Sequence, residues 1–222
     1  ATAGGAKVRE RRRALERWRG DRKLLLRVDR MDLSKNLLRG FEAYGAFLRA
    51  HPQWRRRVVF LALVNPSRRD VEEYRRYSDS VVHAARDINE AFGDDEWTPV
   101  ELRMNDEFAE VLAAYQTYDG LMVNPVFDGM NLVAKEGVLL NRRQGVLILS
   151  RTAGAHAELG PAAVSVDPVD VAGMADAIAE ALEMPEEERS RRSVALRRTA
   201  ASRSPAQWAN RQLRDLERFA GA

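Results

Sequence analysis

The stretch from Gly120 to Leu140, GLMVNPVFDGMNLVAKEGVLL, passes from a short apolar run through an Asp-Gly turn into residues spaced for a helix. A strand followed at once by a helix is half of a parallel crossover unit, so this stretch predicts a parallel sheet. The pattern repeats along the chain. Short apolar runs stand at 23–29 (KLLLRVD), 57–64 (RVVFLALV), 100–104 (VELRM), 120–125 (GLMVNP), 145–150 (GVLILS) and 162–168 (AAVSVDP). Several are near-continuous in Val, Leu and Ile, as suits strands buried on both faces. Between them, 33–52 places Leu37, Leu38, Phe41, Tyr44, Phe47 and Leu48 on one helical stripe. Segments 67–92, 106–117, 130–142, 169–184, 186–201 and 205–219 also read as helices. The alternation predicts an α/β fold: a doubly wound, Rossmann-like parallel sheet with helices on both faces.

The 222 residues fit one large α/β domain. Cysteine is absent, which excludes a disulfide framework and a thiolate metal site. Neither a secretory apolar core nor a run of eighteen apolar residues occurs, so the expectation is a cytoplasmic chain with no membrane partner. The chain opens on Ala1, and residues 1–22 read as an Arg-rich lead-in from an upstream domain, 23–203 as the Rossmann-like domain and 204–222 as a terminal helix. Net charge is only +3, and the clusters RERRR, WRRR, YRRY and RSRR are scattered among acidic residues. Solvated helix faces explain them, and no nucleic-acid partner is expected. Lysine is scarce: Lys7, Lys23, Lys35 and Lys135 are all there are.

In such folds ligands bind beyond the carboxyl ends of the strands. That directs attention to the loops at 29–36, 64–70, 105–108 and 124–132. In RVDRMDLSKN, an arginine fork (Arg30) and a lysine point charge (Lys35) flank Asp32 and Ser34, and the pair could hold a diphosphate. Asp32 would orient the cations and Ser34 would cap the next helix, while a surface salt bridge with a cap is the plain alternative. In LVNPSRRDVEEY, a helix is expected from Ser67, with Arg68 and Arg69 adding charge to an already positive helix end, a cost an anion would offset. In VFDGMNLVAKE, Asp128 and Gly129 make the turn and Met130 to Leu132 begin a helix whose free N–H groups suit phosphate. Asp128 would accept from sugar hydroxyls, and Glu136 could take both hydroxyls of a ribose. An everyday turn before a helix is again the bland reading.

Taken together, RMDLSK, SRRDVEEY, DGMNLVAKE and VLILSRTAGAHAEL resemble the C-terminal half of the trehalose-6-phosphate synthases, from about Lys23 to Leu216. Those enzymes are retaining glycosyltransferases of family 20 with the two-domain GT-B architecture. The resemblance implies a donor-binding half that uses UDP-, GDP- or ADP-glucose, with glucose 6-phosphate as acceptor, no cofactor and no metal. It implies catalytic roles for Arg30, Lys35 and Asp128. Donor contacts would come from those three and from Phe108, Gly129, Met130, Asn131, Leu132, Val133, Ala134, Lys135 and Glu136, with Arg68 on the acceptor phosphate. Expected partners are the missing N-terminal domain and, in an oligomer, other copies of the chain. Two alternatives stay open: a pseudo-glycosyltransferase joining cyclitols through nitrogen, and a non-catalytic nucleotide-sugar-binding module.

His51 and His83 are expected in surface or core roles, while His156 lies in a glycine-containing loop expected to face the cleft. Trp18, Trp54, Trp97 and Trp208 are expected to pack rather than stack on a ligand.

Overall fold

The computed structural model describes residues 2–68, 70–104, 107–202 and 205–220. Six parallel strands run in the order β3-β2-β1-β4-β5-β6. They are β1 (Lys23–Arg30), β2 (Val58–Asn65), β3 (Val100–Arg103), β4 (Gly120–Val123), β5 (Val146–Ser150) and β6 (Val164–Val166). Each falls within or beside one of the apolar runs read from the sequence. β2, β4 and β5 are buried almost without interruption, because helices cover both faces. The strand order reverses between β1 and β4, which leaves a crevice at their carboxyl ends.

Helices α2 (Leu37–Ala50), α3 (Glu72–Phe92) and α7 (Val171–Glu183) pack together against the sheet. A second group comprises α1 (Ala6–Arg19), α4 (Phe108–Tyr115), α5 (Leu132–Leu140) and α8 (Glu186–Ala201). Short α6 (His156–Leu159) and terminal α9 (Pro205–Ala220) complete the described helices. Phe41, Tyr44 and Phe60 meet edge to face at 5.1–5.4 Å, anchoring α2 on β2. α1 is part of this core: Val8 and Leu15 are buried, and Arg19 pairs with buried Asp119 at 2.9 Å.

Three local expectations are corrected. α3 begins at Glu72, not Ser67, because Glu72 and Glu73 supply the acidic first turn that the helix dipole favours. Arg68 therefore stands ahead of that helix end and does not load it with charge, and Arg69 lies outside the described residues. Ser34 caps nothing: Asp32 accepts from its N–H at 3.0 Å and starts a 3-10 turn, and left-handed Asn36 precedes α2. α5 begins at Leu132, with left-handed Asn131 as its cap, instead of at Met130.

Trp54 and Trp97 are buried and donate to Glu183 and the Val58 carbonyl, while Trp18 packs under the Arg103 guanidinium. The side chain of Trp208 lies outside the described residues. No described helix is long and apolar enough to cross a membrane.

Candidate functional site

A cavity of about 480 Å³ opens at the carboxyl ends of β1 and β2, beside the N-terminus of α5. Its charged lining is Asp29, Arg30, Lys35, Asp128 and Glu136. β1 delivers Asp29 and Arg30, the 3-10 turn after it delivers Lys35, and the β4–α5 loop delivers Asp128. Val28, Leu63, Val111 and Tyr115 form an apolar wall. Separate loops, about a hundred residues apart in sequence, thus converge on one hollow.

Lys35 sits between two carboxylates, with Nζ at 2.5 Å from Asp128 and 3.8 Å from Asp29. Asp128 also accepts from the Asn131 amide at 2.9 Å. Asn131 has φ 56°, and its side-chain oxygen takes the Ala134 N–H at 3.0 Å. The N–H groups of Leu132 and Val133, both cavity-lining, are left at the open helix end. Anionic oxygen is favoured there by those donors and by the helix dipole. Arg30 is exposed and forms no ion pair among the described residues, so its fork is available to a ligand. Burial raises the pKa of Glu136, an ordinary sign for a carboxylate against an apolar wall.

Burial also lifts Asp29 to about 6, against the opposing pull of Arg27 and Lys35 and with a further push from Asp128. Arg27 itself is fully buried. It donates to Asp29 at 3.1 Å, to the Asn124 side chain at 2.7 Å and to the Lys35 carbonyl.

Other expected site residues lie elsewhere. Lys135 turns away from the cavity to Glu158 at 3.0 Å, tying α5 to α6, because that carboxylate offers a half-buried ammonium its partner. Ala134 is fully buried in the core behind the first turn. Phe108 is exposed at the head of α4, outside the lining. A side chain on Gly129 would meet open space, whereas one on Gly154 would place its Cβ 1.7 Å from the Gly129 carbonyl oxygen. The close backbone approach is therefore made by Gly154, whose N–H donates to the Asp128 carbonyl at 3.0 Å. Arg68 stands outside the lining with φ 48°, its guanidinium 2.7 Å from the Tyr74 hydroxyl and 5.1 Å over that ring. His156 does not face the crevice. It is 2.8 Å from the Ser165 hydroxyl, and burial, with the charge of Arg151, lowers its pKa.

The glycosyltransferase family 20 model matches residues 2–218, almost the whole chain. The chain belongs to glycosyltransferase family 20. A bifunctional trehalose-6-phosphate synthase/phosphatase from Thermoproteus tenax is 41% identical over 191 residues, covering 85% of this chain and 26% of that protein. An α,α-trehalose-phosphate synthase from Burkholderia xenovorans, solved with glucose-6-phosphate, superposes with a TM-score of 0.89 at 35% identity. It covers 97% of this chain and 47% of its own. The E. coli protein bound with UDP-2-fluoro glucose gives 0.88 at 31% identity, covering 92% of this chain and 46% of its own. This family 20 chain thus spans about half the length of those structures, or less of the longer relative.

Within that frame, sequence reasoning missed the buried polar layer: Arg27, Asp29, Asn36 and Asn124. A signal was present in LLLRVDR, where an arginine interrupts an apolar strand. Residues i and i+2 share a strand face, so Arg27 and Asp29 had to lie side by side.

Proposed function

We propose that this chain is the donor-binding half of a retaining α,α-trehalose-phosphate synthase that moves glucose from a nucleoside diphosphate glucose to glucose 6-phosphate. One observation carries the reading: Arg30, Lys35, Asp128, Glu136 and the open end of α5 line a single cavity at the strand-order reversal. Arg30 and Lys35 meet the diphosphate, together with the Leu132 and Val133 N–H groups. Glu136 takes the ribose, and Asp128 takes hydroxyls of the donor glucose. The glucosyl C1–O bond to phosphate breaks as the acceptor oxygen bonds to C1 on the same face, and the acceptor proton passes to the departing phosphate. Charge then builds on that phosphate, where Arg30 and Lys35 already stand, so stabilisation is electrostatic and needs no metal. Arg68, beside the first loop, is assigned to the acceptor phosphate. UDP-, GDP- and ADP-glucose all fit this account, and the setting is cytoplasmic, with an N-terminal domain completing the cleft.

Calorimetric titration of the chain with UDP, GDP, ADP and their glucose conjugates tests the site. Arg30→Ala and Glu136→Ala should each weaken the nucleotide that binds the parent chain. Unchanged affinity in both variants would move the nucleotide elsewhere. With the complete enzyme and glucose 6-phosphate, a product joined through nitrogen would instead favour the cyclitol-coupling branch.

A further inference from the structure

The cavity assigned to a diphosphate has an awkward charge balance. Three carboxylates, Asp29, Asp128 and Glu136, line it against two cations, Arg30 and Lys35. One more cation lies directly behind: Arg27, with no exposed surface, in the middle of β1. A guanidinium there is costly to desolvate, and apolar side chains generally stabilise such a position equally well or better. Stability alone is therefore a poor reason for its presence.

Its bonds suggest another reason. The fork reaches three parts of the site at once: the Asp29 carboxylate, the side chain of Asn124 at the end of β4, and the main-chain carbonyl of Lys35. The surroundings are shaped to it. A Cβ on Gly40 would lie 2.4 Å from Arg27 Nη1, so α2 presents a glycine where the guanidinium needs room. Asn36, at φ 61°, continues the layer, donating to the Asn124 carbonyl at 3.0 Å and the Pro168 carbonyl at 2.7 Å. The turn that carries Lys35 is thus hung from buried polar groups on both sides.

We propose that Arg27 is a positioning residue for the phosphate-binding lysine: by holding the Lys35 main chain and the Asp29 carboxylate together, it sets how readily Lys35 leaves its carboxylates for a diphosphate. This rests on the nucleotide-sugar reading of the cavity. Asp29 is faced by Arg27, Lys35 and Asp128, with Arg30 adjacent in the strand and the hydroxyls of Tyr77 and Tyr115 nearby. Arg27 opposes the burial that lifts Asp29 to about 6. Removing its charge should lift Asp29 further, an effect a purely mechanical strut would not have.

The test uses this chain, Arg27→Gln and Arg27→Lys at a temperature where all three are folded. UDP affinity is measured by calorimetry across about pH 5 to 8, and Asp29 is titrated by carboxyl carbon NMR over that range. The four lysines allow the Lys35 ammonium signal to be followed as well. Arg27→Gln should raise the Asp29 midpoint, shift the Lys35 signal and weaken UDP at pH 8 by about tenfold, the scale of supporting contacts at other sites. Arg27→Lys should keep the Asp29 midpoint near the parent value and recover part of the affinity, because an ammonium keeps the charge but cannot span three acceptors. An Arg27→Gln chain with parent-like UDP affinity overturns the proposal, whatever its melting temperature. Where the parent chain prefers GDP or ADP, that nucleotide takes the place of UDP throughout. If it binds none of the three, the nucleotide reading has failed; an unmoved Asp29 midpoint and Lys35 signal in Arg27→Gln then overturn the Arg27 assignment as well, and displaced ones uphold the hold of Arg27 on Lys35 and Asp29. Should Arg27→Gln not fold, the Arg27→Met/Asp29→Asn chain removes both charges together, and parent-like UDP affinity there is equally fatal.

Discussion

The loops after β1 and β2 leave the sheet from paired residues, Arg30 beside Asn65, yet they are held in opposite ways. The first is tied down from below: buried Arg27 on the Lys35 carbonyl, buried Asn36 on two carbonyls, and half-buried Tyr77 accepting from the Leu37 N–H at 2.9 Å. The second runs through Pro66 and Ser67 to Arg68, whose guanidinium rests on Tyr74 at the exposed surface. A loop fixed from below can hold a cation against nearby carboxylates with defined geometry. A loop resting on surface contacts can offer a cation only by reaching. The contrast predicts preorganised chemistry after β1 and adaptable binding after β2.

The largest expected effect is at Lys35. In the complete enzyme, Lys35→Met should lower kcat by about 10²–10³-fold, the scale for losing one preorganised charge donor. Because Lys35 also shields Asp128 and Asp29 from the donor, UDP affinity of this chain should fall as well. A kcat within a few-fold of the parent enzyme would remove the lysine from the chemistry and erase the difference between the loops.

Next comes the backbone contact that seats the β4–α5 loop. Gly154→Val forces a side chain onto the Gly129 carbonyl, so unfolding should cost less by about 1–3 kcal/mol, as with other overpacked sites. Chemical denaturation measures this. UDP affinity should fall with it, since Asp128 and the start of α5 belong to the same turn. A destabilised variant with intact UDP affinity would show that the turn's position is not what the ligand reads.

The third test concerns pH. Asp29 titrates near 6 in the folded chain, above the ordinary 3.8, so the folded state binds that proton more tightly than the unfolded state. Its contribution to stability is complete below about pH 3.8 and is lost as the pH rises through about 6. The melting temperature of the parent chain should therefore fall more steeply across that interval than that of Asp29→Asn. Parallel curves for the two would mean that Asp29 is not held in a raised state by burial.

The comparison also explains what could be read in advance. The six strands were legible because parallel strands buried on both faces are written as dense Val, Leu and Ile runs. Arg30, Lys35 and Asp128 were legible as cavity-lining residues because strand ends and the loops after them concentrate unusual residue types, and Glu136 because it lies a turn into the helix that the Asp-Gly turn opens. Arg27 was hidden inside a strand pattern, where an arginine registers as an interruption and its three partners are set by tertiary contact. The start of α3 was misread because Pro66 and Ser67 make a good local start signal, and the pair Glu72 and Glu73 makes a better one farther on. Lys135 was assigned to the ligand because the family resemblance carried over the whole run from Leu132 to Glu136 as one ligand-lining segment. A helix turns 100° per residue, however, and that rotation carries Lys135 to Glu158.

The smallest effect, and the sharpest division between the loops, is expected at Arg68. Its exposed guanidinium lies outside the cavity lining and reaches the first loop only through the charge of Asp32. Arg68→Ala should leave the stability of this chain within about 0.5 kcal/mol, as for other surface substitutions. UDP affinity should change by about twofold or less, because 1.4 kcal/mol is a factor of ten and a screened charge at that range supplies a fraction of it. In the complete enzyme the same substitution should raise KM for glucose 6-phosphate by about tenfold with kcat little altered, the pattern of a lost uniform binding contact. A kcat loss matching that of Lys35→Met would mean that Arg68 is held over the reacting phosphate after all. The loop after β2 would then be as preorganised in the assembled cleft as its neighbour, with the N-terminal domain proposed above supplying the anchors that buried groups provide after β1.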